Sequence, residues 1–472
     1  MNTIIKGGTI ITAAETTNAD ILISGETIRA IGHDLPETPQ DNIIDAKNKI
    51  IMPGGVDVHT HFDLPMFGTV SSDDHYSGHK AAAFGGTTTV IDFISHDYHD
   101  LKKCVETWHQ KADDKAAIDF SFHMNISMFD QEIAAQIPSL REWGINSVKV
   151  FTAYNNRLRL DDGYIFEVMR IAKNNGMLVL AHAENGDVIE VLVNEAIRAR
   201  NLSPEWHAHT RPSESADEAV YRVIKLSELA KAPVYIVHIN TKGGADHVRA
   251  ARQKGLPVMG ETCPQYVFFN LDYLRRSDGS KWVCSPPVGS PEDNAGIWRA
   301  IEDGSMQVVA TDHCAFFFDG TRPINYEGKK IAIPGKELGI NDFTKIPNGL
   351  PGVGDRLLIM WSFGVGANRI TPNQFVQLMC TQPAKIFGLY PKKGTIQPGS
   401  DADIIIWDPD KEIEYGVAFA KHRTDHNLYE QWHIKGVIEK VFLRGMLIVD
   451  GEQWFGRRGA GQFVKRGPVA VI

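Results

Sequence analysis

The sequence predicts an α/β protein: a (β/α)8 TIM barrel with a small β-sandwich domain formed from both chain termini. Eight apolar, β-rich runs are each followed by polar residues and a helical pattern. Successive runs commonly start about thirty residues apart, the size of a strand plus a crossover helix. The length of 472 residues leaves room for a second unit beside a barrel of about 250 residues or more.

The eight predicted barrel strands are rich in β-branched and apolar residues. Longer insertions precede the sixth and the eighth. Because the active site of such a barrel lies at the C-terminal ends of its strands, the polar residues there are the candidates for function. The strands are residues 56–61, 87–92, 119–125, 147–152, 177–184, 233–240, 256–262 and 306–313.

The two ends of the chain predict the second domain. We expect residues 1–53 and 391–472 to pair into one β-sandwich with a C-terminal tail, so that residues 54–390 form the barrel. The strand-like runs are 3–6, 9–12, 19–24, 27–31, 42–44, 402–407 and two further runs within 437–449.

Bulk properties exclude several classes of protein. A net charge of −9 with both signs intermixed argues against a nucleic-acid-binding surface. No apolar stretch approaches a membrane span, and the N-terminus lacks the apolar segment of a secretory signal. The five cysteines are odd in number and unpatterned, which fits a reducing compartment. We therefore predict a cytoplasmic protein with no nucleic-acid or membrane partner, in which Cys263 and Cys314 are small buried thiols.

The first barrel run ends in the pattern His59-Thr60-His61. Alternate residues of a strand point to the same side, so the two imidazoles converge on one point, as metal ligands do. Two unrelated surface histidines would give the same pattern. Further potential ligands at four other runs favour the metal site: Lys149, His182, His238 and Asp312 in the fourth, fifth, sixth and eighth.

The chemistry of this ligand set points to divalent metal. Histidine and aspartate together suit zinc or a neighbouring first-row metal, and four histidines with one aspartate serve two metals well if an anion bridges them. A buried ammonium at Lys149 beside divalent cations is electrostatically unfavourable, whereas the carbamate that its neutral amine forms with CO2 is an anion with two oxygens. The strand alone leaves the alternative that Lys149 extends to the barrel rim as an ordinary lysine.

Nine short motifs occur in order along the chain: PGGVDVHTH (53–61), GGTTT (85–89), SVKVFTAY (147–154), AHAEN (181–185), VH (237–238), GETCPQY (260–266), SPP (285–287), TDHC (311–314) and IPNG (346–349). Through these motifs nearly the whole chain resembles the D-hydantoinase and dihydropyrimidinase family of cyclic amidohydrolases, within the amidohydrolase superfamily. The resemblance implies two divalent metals, for which we expect zinc, with manganese or cobalt as alternatives. It assigns His59, His61 and Asp312 to one metal, His182 and His238 to the other, and carbamylated Lys149 to the bridge between them.

The resemblance also implies a mechanism and the residues that serve it. A hydroxide held between the metals would attack the ring amide. Asp312 would carry its proton to the departing nitrogen, and Tyr154 would donate a hydrogen bond to the developing oxyanion, with barrel-top packing as its alternative role. Ser285 and Asn348 would hold the cyclic ureide mostly through backbone groups.

The substrate implied is a small cyclic ureide, a hydantoin or a dihydropyrimidine, which is opened to an N-carbamoyl amino acid. An apolar gate would receive the ring substituent, although each member could be ordinary core. Asp63 stands where dihydroorotase-like relatives have an arginine for a substrate carboxylate, so a carboxylated ring is disfavoured. The gate consists of the segment Leu64-Pro65-Met66-Phe67 together with Phe151 and Leu158.

Two alternatives belong to other functional classes. One is another cyclic amidohydrolase activity, such as that of an allantoinase. The other is a non-catalytic homologue with an interaction role, which the presence of all six ligands argues against. The family further implies a homotetramer.

Overall fold

The eight predicted runs form one parallel sheet in the computed structural model, which describes residues 2–66 and 68–472. Each strand pairs with the next one along the chain, which confirms the predicted (β/α)8 barrel. Strands 1 to 8 are Gly55–Thr60, Thr87–Ile94, Asp119–Asn125, Ser147–Phe151, Leu178–His182, Val234–Ile236, Val258–Thr262 and Val308–Val309.

Helices connect the strands and cover the outside of the barrel. The helix after strand 1 begins at Asp74, whose carboxylate accepts hydrogen bonds from the backbone N–H groups of Tyr76 and Ser77. The longer helices are His75–Phe84, Leu101–Ala112, Asp162–Asn174, Gly186–Arg198, Ser213–Ala230, Lys242–Gln253 and Pro291–Glu302. The shorter ones are Gln131–Gln136, Trp206–His209, Pro264–Phe268, Leu271–Leu274, Arg356–Met360, Pro372–Val376, Gln382–Ile386 and Val417–Ala420.

The barrel closes between strand 1 and the segment that follows strand 8. The N–H of His61 donates to the carbonyl of His313 (2.7 Å), and the N–H of His313 donates to the carbonyl of His59 (3.3 Å). Deeper in the barrel, the Arg356 guanidinium donates to carbonyl groups of strands 1 and 8. The closure therefore holds the histidine pair beside residues 311–313.

Side-chain alternation along the strands selects which residues face the barrel interior. In strand 4, Val148 and Val150 belong to the core between the sheet and the helices, so Lys149 faces the interior. In strand 5, Leu180 lies in the interior cluster, and His182 is the next residue on that face. Both candidate ligands thus project into the same space.

Strands from both termini form the second domain, as predicted. They lie in two sheets around an isoleucine-rich core that includes Ile21 and Ile404. One sheet contains Thr27–Gly32, Asp20–Ser24, Thr3–Lys6 and Asn42–Asp45. The other contains Gln453–Trp454, Met446–Asp450, Trp432–Leu443, Ile404–Tyr415, Ile50–Pro53, Thr9–Ile11 and Thr16–Asn18. The domain boundaries given above stay a prediction.

The C-terminal tail returns from the sandwich to the barrel. The N–H of Val464 donates to the carbonyl of Phe120 in strand 3 (2.7 Å), and the Val464 side chain joins the interior cluster of the barrel.

Among the described residues, no helix combines the length and the apolar character that crossing a membrane requires.

Strands 6 and 8 are shorter than predicted, and the expectation that they contain His238 and Asp312 was wrong. Strand 6 ends at Ile236 and strand 8 at Val309. The backbone turns at both candidate ligands, which have φ values of +39° and +53°. Residues with a side chain rarely adopt such angles, and an extended strand cannot continue through them.

Candidate metal centre and active-site cavity

The structure brings all six predicted metal ligands together at the C-terminal ends of the barrel strands. Nε2 of His59 lies 3.0 Å from Oδ1 of Asp312, and Nε2 of His61 lies 3.2 Å from the same oxygen. The Lys149 amine lies 3.1 Å from Nε2 of His59. The remaining two ligands, His182 and His238, face each other through Nδ1 and Nε2 at 2.9 Å.

The first group of ligands fits a cation. Nδ1 of His59 lies 2.6 Å from the Glu261 carboxylate, which orients the ring so that Nε2 faces the Asp312 carboxylate. Burial and Lys149 would lower the pKa of His59, but the Glu261 and Asp312 carboxylates outweigh them and raise it, so this place between two anions favours a positive charge. Donor atoms of His59, His61 and Asp312 all lie within 4.8 Å of one another, as ligands of one metal do.

The second pair of histidines is oriented in the same manner. Nε2 of His182 lies 2.7 Å from the Glu184 carboxylate, so its Nδ1 carries a lone pair directed at His238. Nδ1 of His238 is buried and has no hydrogen-bond partner among the described residues. A carboxylate behind a histidine is the usual outer partner of a metal ligand, because it fixes the tautomer and orients the ring.

Protonation states in the centre favour metal binding. Burial lowers the pKa of His61 to about 4 and that of His238 well below its usual range, so both rings are neutral ligands at pH 7. Burial alone would raise the pKa of Asp312, but the neighbouring His59 and His61 outweigh it and hold this pKa well below its usual range. The aspartate is therefore an anion.

Lys149 has apolar neighbours on two sides. Its amine lies 4.1 Å from the ring centre of Phe93 and 5.2 Å from that of Phe151. Burial lowers the pKa of Lys149 to about 8, which makes the neutral amine accessible near physiological pH. The side chain is 2 % exposed and does not extend to solvent at the rim.

Three candidate site residues adopt left-handed backbone conformations. Tyr154, His238 and Asp312 all have positive φ, at +67°, +39° and +53°. Each such residue costs about 1–3 kcal/mol and persists only where the surrounding structure holds it. The surrounding barrel must therefore offset this local cost at all three residues.

A cavity of about 450 Å³ opens above the ligands, a size that suits a small organic molecule. Five of the six ligands contribute to its wall, as do Tyr154, Ser285 and Asn348. All five described gate residues line it as well: Leu64, Pro65, Met66, Phe151 and Leu158. Phe67 lies outside the described residues.

The cavity wall is more polar than the sequence analysis anticipated. The loops after strands 2 and 3 contribute polar side chains, and Arg157 adds a cation. No apolar periodicity marks these residues, because all but Asn125, the last residue of strand 3, lie in loops that only the fold brings over the ligands. The polar lining consists of Ser95, His96, Asp97, Asn125, Ser127 and Arg157.

Tyr154 is placed to donate a hydrogen bond. Burial, and then the negative charge of Glu184, raise the pKa of Tyr154 above its usual range, so the phenol keeps its proton. Its ring lies 5.0 Å from that of His182. Across the cavity, the Asn348 amide donates to Oγ of Ser285 (3.0 Å), which joins the two predicted substrate-holding segments.

Sequence reasoning gave no role to the two carboxylates behind the histidines. Glu261 accepts from His59, from the Tyr235 hydroxyl (2.9 Å) and from the N–H of His238 (3.1 Å). A signal was present, since Glu261 is an acidic residue inside an apolar strand and Glu184 follows His182 by two residues. A buried charge needs partners, and this requirement alone would have selected both.

Comparison with known proteins extends these observations to the whole chain. Residues 50–448 match the model of the amidohydrolase family. A D-hydantoinase of Geobacillus stearothermophilus is 43 % identical over 100 % of this chain and 98 % of its own length. A D-phenylhydantoinase of Escherichia coli is 36 % identical over 99 % of both chains. The crystal structure of dihydropyrimidinase from Brevibacillus agri covers 100 % of both chains with a TM-score of 0.95 and 42 % identity.

Proposed function

This chain belongs to the amidohydrolase family and is an enzyme that hydrolyses cyclic amides, and we propose that it opens hydantoin and dihydropyrimidine rings to N-carbamoyl amino acids. The observation that carries the proposal is the convergence of the six proposed metal ligands beside one cavity of ligand size. The similar D-hydantoinases and dihydropyrimidinase support this choice of ring.

The family implies a binuclear divalent metal site, and we propose zinc as the metal, with manganese or cobalt as alternatives. His59, His61 and Asp312 would hold one ion, and His182 and His238 the other. Bound divalent metals supply Lewis acidity, which lowers the pKa of water and polarises an amide carbonyl. Glu261 orients the ring of His59 and Glu184 that of His182, so that these two ligands are in place before the ions arrive.

We propose that Lys149 bridges the two ions as a carbamate. The neutral Lys149 amine attacks the carbon of CO2, an N–C bond forms, and the nitrogen loses a proton to solvent. The product carries two oxygens and one negative charge. The lowered pKa of Lys149 and the phenylalanine rings beside it support this reaction, because only the unprotonated amine is a nucleophile.

Asp312 and Tyr154 are the proposed catalytic residues. The Asp312 carboxylate lies between the two histidines of the first group and can accept a proton from the attacking water and return it to the ring nitrogen that leaves. Tyr154 donates a hydrogen bond from its phenol to the carbonyl oxygen as negative charge develops there. Ser285 and Asn348 hold the ureide edge of the ring.

Replacing Tyr154 with phenylalanine tests its assignment. Tyr154→Phe keeps the ring and deletes one donor that acts in the transition state, so kcat should fall by ~10²–10³ while KM changes little. Steady-state kinetics on hydantoin and dihydrouracil, with metal content measured in parallel, provide the readout. An unchanged kcat would return Tyr154 to a packing role.

A substrate panel tests the proposed function. Metal-replete enzyme should hydrolyse dihydrouracil, hydantoin and 5-phenylhydantoin, the last because Leu64, Phe151 and Leu158 offer apolar contacts to an aryl group. Enlarging the pocket by Leu158→Ala should favour aryl over small substrates by a modest factor, since a few methylenes are worth about 1–3 kcal/mol of discrimination.

The matched control for this variant is Leu229→Ala, at a leucine that is 70 % exposed on an outer helix. It should leave the substrate ratio unchanged. Preferred turnover of allantoin would move the enzyme to the allantoinase class. Efficient turnover of dihydroorotate would contradict the expectation drawn from Asp63 and would direct attention to Arg157 in the cavity wall. The homotetramer implied by the family stays a prediction.

A further inference from the structure

A lysine from another part of the chain joins the two proposed substrate-holding segments, which contain Ser285 and Asn348. Lys336 begins the 3-10 helix Lys336–Gly339 and is 0 % exposed. Its amine donates to the carbonyl of Val283 (2.9 Å) and to that of Pro347 (3.1 Å). We propose that Lys336 is a positioning residue that sets the Ser285 segment and the Asn348 segment at the separation a cyclic ureide requires, an inference that rests on the proposed function.

The two carbonyl groups belong to residues that come shortly before the proposed substrate-holding residues in the sequence. Val283 precedes Ser285 by two residues, and Pro347 precedes Asn348 directly. The two segments also contact each other directly, since the N–H of Gly349 donates to the Val283 carbonyl (3.1 Å). A shift of either segment would therefore break the lysine contact and change the width of the cavity wall.

The lysine is itself held in place. Its backbone N–H donates to the carbonyl of Phe317 (2.7 Å), and the neighbouring Glu337 carboxylate accepts from the N–H groups of Gly335 and Gly320. A donor on a mobile loop could not define a distance. Here the backbone behind Lys336 is anchored, so its amine acts as a fixed reference point for both segments.

The chemistry of the amine suits neutral partners. A primary amine has at least two N–H donors in either protonation state, so it can serve two carbonyls at once. Burial lowers the pKa of Lys336 to about 7. The thiols of Cys284 and Cys314 and the imidazoles of His207 and His426 are the titratable groups that interact with it electrostatically. A fully buried lysine with uncharged acceptors is unfavourable for folding, which fits a residue retained for a geometric purpose.

The test is a split between KM and kcat. Lys336→Met fills the same volume without a donor, so the segments lose their common reference and KM for hydantoin should rise at least about tenfold. The variant should bind as much metal as the wild type, and kcat should stay within about threefold, because the ligands and Tyr154 are not touched. An unchanged KM would overturn the proposal, and so would a loss of metal.

A matched control separates positioning from simple destabilisation. Ile406→Ala truncates a buried side chain in the sandwich core, far from the cavity, and should lower Tm with wild-type KM. If Lys336 were merely structural, Lys336→Met would behave in the same way: a smaller folded fraction, a lower apparent kcat and an unchanged KM.

A second variant keeps the proposal testable if Lys336→Met does not fold. Lys336→Gln retains a donor but is too short to serve both carbonyls, so its KM should also rise, and a wild-type KM would contradict the inference. Wild-type turnover on the substrate panel is measured first. If the wild type shows no turnover, the proposed function is wrong. If the wild type is active and KM is unchanged in both variants, only the Lys336 inference is wrong.

Discussion

Removal of divalent metal should abolish the hydrolysis of cyclic amides, and added zinc, manganese or cobalt should restore it. The reason is the donor set: ligand atoms of His59, His61 and Asp312 lie within 4.8 Å of one another, and His182 and His238 face each other at 2.9 Å. Without the ions, water at neutral pH is a poor nucleophile, because its pKa is not lowered.

The experiment compares activity with metal content. Chelated protein is assayed on dihydrouracil and hydantoin after elemental analysis, and then again after titration with each metal. His61→Ala should lose metal and activity together, whereas replacement of His433, an exposed histidine of the sandwich, should change neither. Near-full activity in protein that elemental analysis shows to be free of metal would contradict the proposed binuclear mechanism.

Lys149→Ala should lose nearly all activity and much of the bound metal. The variant removes the proposed bridging anion and leaves two divalent ions to repel each other across a buried site. Short carboxylic acids carry the same two-oxygen anion as a carbamate, and we expect them to restore part of the metal content and part of the rate.

Lys149→Arg is the matched comparison, because arginine keeps a positive charge but forms no carbamate. If Lys149 acted as an ordinary cation, the arginine variant would retain activity; if it acts as a carbamate, the variant is as inactive as Lys149→Ala. Isotopically labelled bicarbonate would reveal the modified lysine in the wild type by NMR. Wild-type turnover in Lys149→Ala would refute the bridging role outright.

Much of this protein could be predicted from local sequence pattern. The eight apolar runs predicted the barrel because a parallel strand buried on both faces must be apolar along its length. The His59 and His61 pair predicted a metal site because alternate strand residues share a face. The metal-site inference depends on alternation every two residues, and the barrel inference depends on a repeat of about thirty residues. Both patterns can be read from a single sequence.

Polar contacts over long sequence separations were decided only by the tertiary structure. Glu261 reaches His59 across 202 residues, and Lys336 reaches Val283 across 53. Likewise, the left-handed backbone at His238 and Asp312 ended strands that the pattern would have continued. A run of residues specifies its own strand. Which buried carboxylate contacts which imidazole depends on how the strands and helices pack against one another. A buried polar group must find a partner, and only the closed barrel determines which partner lies within hydrogen-bonding distance.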